Sequence, residues 1–275
     1  REQGASTLHN GELSLTRNLT VPRIGPPLDA DDTPRRDRLL VEYNTTTNPT
    51  ESGLVKDTSG RGNDGQMAGT TNYNSSSKGL VLSNSNTSSA ASNYITRGSL
   101  GNSEEGNFNH SVSLWFKMAT RPGSAYRAIF EIGPYPRANG KDIALYVTNN
   151  SANFLGFASG GNTLMGGGDP DLTSTGTAYH IVIVYDGARK YMYINGVLNA
   201  SDAYTTFDGV KNMTMQIGRN NHTNANEGID GTISNFKMYV GHALTADEVK
   251  RLYNMGRIGN VIAQPVHIAA PLYAP

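Results

Sequence analysis

Cysteine is absent from the 275 residues. That excludes disulfide staples, zinc–thiolate centres and thiol nucleophiles, and it fits assembly in a reducing compartment better than secretion from an animal cell. Neither charge sign is in excess, because Lys+Arg and Asp+Glu are both 23. Phosphate binding draws on a surplus of basic side chains, so no nucleic-acid partner is expected. No apolar run approaches the ~20 residues of a membrane-spanning helix. The start at Arg1 shows neither an initiator Met nor a signal-peptide core, so the chain is read as beginning after a processing boundary. What is abundant is glycine, with Asn, Ser and Thr between short apolar runs, the composition of many strands joined by tight turns.

The pattern divides the chain into three parts. Residues 1–38 begin with ASTLHNGELSLTRNLTV, where Leu13, Leu15, Leu19 and Val21 recur at period two after a turn-prone Asn10-Gly11. This predicts a strand pair or fibre-like segment. VPRIGPPLDADDTPRRDR follows with four prolines, which form neither ladder nor helix and read as an extended linker or, alternatively, as an ordered strap on the domain. Residues 39–257 carry evenly punctuated apolar runs: VSLWFKM (112–118), AIFEIG (128–133), IALYVT (143–148), NFLGFAS (153–159), HIVIVY (180–185), KYMYING (190–196), MTMQIG (213–218) and TISNFKMYV (232–240). These predict an all-β antiparallel sandwich or jelly roll. Turns are expected at Asp186-Gly187 and Asn195-Gly196, and a flexible loop at GGNTLMGGGDP (160–170). One helix is expected where Thr245 and Glu248 form a capping box, ending near Gly256. Residues 258–275 form an apolar, proline-broken tail.

DTSGRGNDG (57–65), HSVSLWFK (110–117), YHIVIVYDGARKYMYINGV (179–197), IGRNN (217–221) and GIDGTISNFKMYVGHALTADEVKRLY (228–253) occur in an order that resembles the laminin G-like, concanavalin A-like lectin/glucanase jelly roll. The resemblance covers about residues 40–256 and implies a concanavalin A-like sandwich with one short C-terminal helix. It also implies a calcium site at the sandwich rim, for which Asp57, Asn63, Asp64 and Asp230 are the candidate oxygen ligands. Ser234 and Asn235 depart from the family, in which many members carry an acidic pair there. The alternative for Asp57 is an Asx turn, accepting from the backbone of Ser59 and Gly60.

Catalysis is not expected. Glycoside hydrolases on this fold need two carboxylates about 5 Å apart across the scissile bond, usually from alternate positions of one strand, and Glu131 is the only acid in its strand. There is no G-x-S-x-G elbow and no phosphate loop. Trp115 reads as core rather than as a sugar platform, and His180 as a strand residue rather than a base. Nine glycosylation sequons occur, at Asn18, Asn44, Asn74, Asn86, Asn109, Asn149, Asn199, Asn212 and Asn221.

These readings point to a non-enzymatic surface protein, a viral capsid-associated or fibre protein with a lectin-like domain facing outward on a virion or extracellular surface. Glycans or neighbouring subunits would be its partners, and residues 1–38 and 258–275 would join it to a homo-oligomer or larger assembly. The alternative is a carbohydrate-binding module of a bacterial secreted enzyme or adhesin.

Overall fold

A computed structural model describes residues 7–9, 12–14, 33–84, 91–122, 126–136, 138, 141–149, 155–159, 162–166, 175–221 and 227–260. The expected sandwich is present. One sheet runs in the order β17 (Val197–Ala203), β16 (Arg189–Ile194), β15 (Ala178–Tyr185), β10 (His110–Met118), β19 (Asp230–Val240), β8 (Gly79–Ser83) and β7 (Asn72–Asn74), with β3 (Leu39–Tyr43) also on β19. The second runs β14 (Asn162–Gly166), β13 (Leu155–Ser159), β12 (Ile143–Thr148), β11 (Tyr126–Gly133), β18 (Thr214–Ile217), β9 (Tyr94–Arg97), β6 (Gly65–Ala68), β5 (Leu54–Val55) and β4 (Thr50–Glu51). Every strand pairing in the two sheets is antiparallel. At the N-terminus β1 (Thr7–His9) and β2 (Glu12–Ser14) pair as a hairpin with Leu8 opposite Leu13. Asn18, Asn86 and the tail 261–275 lie outside the described residues.

Alternation sorts the side chains. Val112, Leu114 and Phe116 of β10 and Ile181 and Ile183 of β15 face the second sheet, where Phe130, Leu145 and Phe157 complete the core. The opposite faces of the same strands carry Val182 and Val184, which join Leu39, Tyr239 and Leu252 in a separate cluster beneath the helix α1 (Ala246–Asn260). Full burial of each such aliphatic side chain stabilises by roughly 1.5–3 kcal/mol. The turns follow the sequence: Asn195 (φ 51°) and Gly196 (φ 79°) link Ile194 to Val197, and Asp186 Oδ1 accepts from the backbone of Ala188 and Arg189.

Two expectations change. The stretch 160–170 was expected to be a loop, yet Asn162–Gly166 forms β14, with Leu164 opposite Phe157 and buried. Glycines at both ends mask a strand in which Thr163 is exposed and Leu164 buried. The helix starts on its capping box, where Glu248 N donates to Thr245 Oγ1 (3.3 Å) and Thr245 N to Glu248 Oε2 (2.8 Å). It runs past Gly256 to Asn260. Gly256 serves contact rather than termination: a Cβ there would run into the indole of Trp115.

Residues Thr33–Arg38 belong with the sandwich. Thr33 is buried, Arg36–Arg38 form a 3-10 turn, and Arg36 reaches Glu42 of β3. This stretch of the proline-rich segment is therefore a strap lying on the domain.

Candidate functional site

A cavity of about 300 Å³ opens on the outer face of the sheet that carries α1. Its floor comes from alternate, outward residues of three neighbouring strands: Ser113 and Trp115 of β10, His180 of β15, and Asn235 and Lys237 of β19. Thr33 of the strap, Asn44 and Thr46 after β3, and Leu252, Met255 and Gly256 of α1 form the walls. Trp115 lies opposite His180 in the ladder, with ring centroids 5.3 Å apart, and stacks on Tyr253 of the helix at 5.7 Å and 21°. The indole thus packs as expected of a core residue, in the interface between sheet and helix rather than between the two sheets.

The cavity's charges are internally paired. Lys237 Nζ lies 3.0 Å from Glu42 Oε1, while Glu42 Oε2 accepts from Arg36 (2.8 Å) and Thr58 (2.7 Å). Burial works to raise the Glu42 carboxyl, but Lys237, Thr58 and Arg36 together hold it below its ordinary range. Ser113 Oγ lies 2.9 Å from His180 Nε2, the spacing of a nucleophile and its base. The pair lacks the rest of that chemistry. Burial lowers His180 to about 3, so it is a poor proton acceptor near neutrality, and among the described residues no group partners its Nδ1.

The calcium candidates do not form one site. Asp57 Oδ1 accepts from the backbone of Glu42 and Ser59, and Oδ2 accepts from Ser59 Oγ and the backbone of Asn63. Gly60 is not a donor to it, which amends the expected turn. Asn63 is buried and donates to the carbonyls of Leu40 and Leu100. Asp64 accepts from the backbone of Asp57 and pairs with Lys56, contacts that hold its carboxyl below the usual range. Asp230 bonds instead to Thr120. It precedes Lys237, the residue opposite Glu42, by seven positions on β19, roughly 23 Å along a strand. A cation would have to displace the four donors that saturate Asp57 and bridge that span, so the set does not fit calcium. Among the described residues no group of three His, Asp or Glu is placed to hold a metal.

Of the sequon asparagines, Asn74, Asn149 and Asn212 are exposed, and Asn44, Asn109 and Asn199 are half-buried. Asn221 is corrected: it is 1% exposed and its Nδ2, the atom a glycan would join, donates to the carbonyls of Gly133 and Pro134.

Glu131 of β11 is fully buried and accepts from Tyr146 OH at 2.7 Å, with Gln216 and Ala144 as its cross-strand neighbours. Neither neighbour is acidic, so this strand offers no carboxylate pair. Two residues past the end of β18, beside Gln216, stands Arg219 of the IGRNN motif. Its guanidinium lies 3.3 Å from the Tyr94 ring centroid, and Nε donates to Gln216 at 3.0 Å.

A laminin G model described as the Concanavalin A-like lectin/glucanases superfamily matches residues 89–250. The chain belongs to this superfamily. Among solved structures, this lectin/glucanase sandwich is similar to the receptor-binding domain of botulinum neurotoxin D, with TM-score 0.62 and 18% identity over 81% of this chain and 54% of that one. It is also similar to the serotype D ligand-binding domain in complex with N-acetylneuraminic acid, with TM-score 0.59 and 18% identity over 81% and 52% of the two chains. The likeness to Trypanosoma rangeli sialidase has TM-score 0.59 and 12% identity over 84% of this chain and 34% of that one. The chain thus spans about half the length of the neurotoxin chains, and at these identities the likeness concerns the fold alone. No curated protein matches the sequence. No helix among the described residues is long and apolar enough to cross a membrane.

Proposed function

We propose that the domain is a non-catalytic glycan-binding module displayed on an outer surface. The cavity carries this reading. It sets the apolar side chains of Leu252 and Met255 beside neutral hydroxyl and amide groups of Ser113, Thr46, Asn44 and Asn235, with the Lys237 ammonium already paired. An apolar wall with a few convergent neutral polar groups suits a sugar ring, whose C–H face is apolar and whose rim is hydroxylated. Superfamily membership supports the same reading, as does the N-acetylneuraminic acid bound by a neurotoxin neighbour. The Ser113–His180 pair, with its weakly basic imidazole, contributes structure rather than catalysis.

Within this reading the domain serves a viral structural protein, capsid-associated or fibre-like, and joins neighbouring subunits through residues 1–38 and 258–275. The cysteine-free composition and the β1–β2 hairpin support that setting, since a lone two-stranded hairpin is marginal in water unless it pairs with something. A second setting, a binding module of a bacterial secreted protein, is favoured by the similarity to neurotoxin receptor-binding domains. Electron microscopy of native particles separates the two.

A glycan array tests the shared function. Binding should be retained after buffer controls and lost when Met255→Trp fills the cavity without lowering the melting temperature. An array without hits, or turnover of a glycan that stops on substitution of one Asp or Glu, would overturn the proposal.

A further inference from the structure

Arg219 is a half-buried cation for which the described residues supply no carboxylate. The antiparallel register, with Ile217 opposite Ile95, brings Tyr94 beside the Gly218–Arg219 step at the end of β18. The Tyr94 ring then supports one face of the guanidinium. Gln216, directed to the outer face between the core residues Met215 and Ile217, fixes Nε. Burial pulls the arginine below its ordinary range, and the groups opposing that are the phenols of Tyr94 and Tyr135 rather than any acid. A cation removed from water without a counter-ion is costly to the free protein, and an arriving anion recovers that cost. Tyr135, whose phenol lies within electrostatic reach of this charge, is 54% exposed, an aromatic surface open to solvent.

We propose that Arg219 anchors a second binding site, distinct from the cavity, which takes the carboxylate of an acidic sugar such as a sialic or uronic acid. The planar guanidinium, held at Nε, matches the two oxygens of a carboxylate through its remaining donors. Tyr135 offers the apolar face on which the sugar ring rests. The choice of a sugar over other carboxylates rests on the glycan-binding reading of the domain. The site does not depend on the cavity, which lies on the other sheet.

The test is a nuclear magnetic resonance titration of the whole chain with N-acetylneuraminic acid, glucuronic acid, glucose and sodium acetate. The two acidic sugars should shift the ring signals of Tyr94 and Tyr135 saturably, glucose should leave them in place, and acetate should bind more weakly than either sugar. Arg219→Gln should weaken binding of the acidic sugars by about tenfold to a hundredfold. Tyr135→Ala, at an exposed position that leaves the fold intact, should also weaken it. Unchanged affinity in both variants, or acetate binding as tightly as the sugars, would overturn the site. A domain that binds only neutral glycans, blocked by Met255→Trp and indifferent to Arg219→Gln, would remove this site while leaving the glycan-binding function standing.

Discussion

Asn235 and Thr45 hold each other by three hydrogen bonds at the seam where β19 leaves β8 and takes up β3. Asn235 Oδ1 accepts from Thr45 N (3.0 Å) and Oγ1 (3.3 Å), and Thr45 Oγ1 accepts from Asn235 N (3.1 Å). Asn235 has φ 49°, and the β10–β19 register slips here, with Ser113 opposite Lys237 but Trp115 opposite Ser234. Asparagine suits both demands, since it tolerates the left-handed region and bonds locally. Asn235→Ala should lower unfolding stability by about 1–3 kcal/mol. Asn235→Gly, which relieves the backbone, should cost less than Asn235→Ala. Chemical denaturation of both variants checks the order.

Acid should destabilise the domain through two buried histidines. Burial lowers both His110 and His180 to about 3. Their folded values lie below the unfolded value near 6.5, so between these limits the unfolded chain binds more protons. Their contribution is complete above about pH 6.5 and is lost as the pH falls towards 3, at about 1.4 kcal/mol per pH unit for each histidine. Melting temperatures from pH 7 to 4 should fall, and His180→Gln should flatten that fall. A slope unchanged by the substitution would show that His180 does not supply it.

Gly256 should resist enlargement. A Cβ at this position meets the Trp115 indole, so Gly256→Ala must lift the helix or turn the ring. Alanine is intrinsically the better helix former by about 1 kcal/mol, and overpacking costs about 1–3 kcal/mol, so the net effect is a loss. Lower melting temperature with altered Trp115 fluorescence checks it. A gain in stability would show the contact to be slack.

Calcium and chelator should give the same melting curve. Asp57 is saturated by Glu42, Ser59 and Asn63, so Asp57→Ala should destabilise the domain by about 1–3 kcal/mol or more in either condition. A melting temperature raised by millimolar calcium, and lowered again by chelation, would contradict the turn assignment.

The sandwich was legible because long strands such as HIVIVY and TISNFKMYV alternate strongly, and the turns at Asp186-Gly187 and Asn195-Gly196 fix how β15, β16 and β17 meet. Two-residue strands such as β4 and β5 carry too little pattern to read, and β14 is hidden by its flanking glycines. The cavity was not legible at all. Thr33, Trp115, His180, Asn235 and Gly256 are scattered across the chain and become neighbours only through ladder register and helix packing. Arg219 gave one weak signal, a charged residue directly after a strand-ending Ile217-Gly218, and its meaning depends on Tyr94, more than 120 positions earlier.

Thr33 and Gly256 line the same cavity, so the segments that lead into and out of the sandwich meet on one side of it. Such a domain behaves as a cassette. It can be spliced into a surface loop of a host protein without prising that loop apart, and it can be circularly permuted by a short link between its two ends. New ends would then be cut elsewhere, for example at the exposed Val197 and Leu198 that begin the edge strand β17.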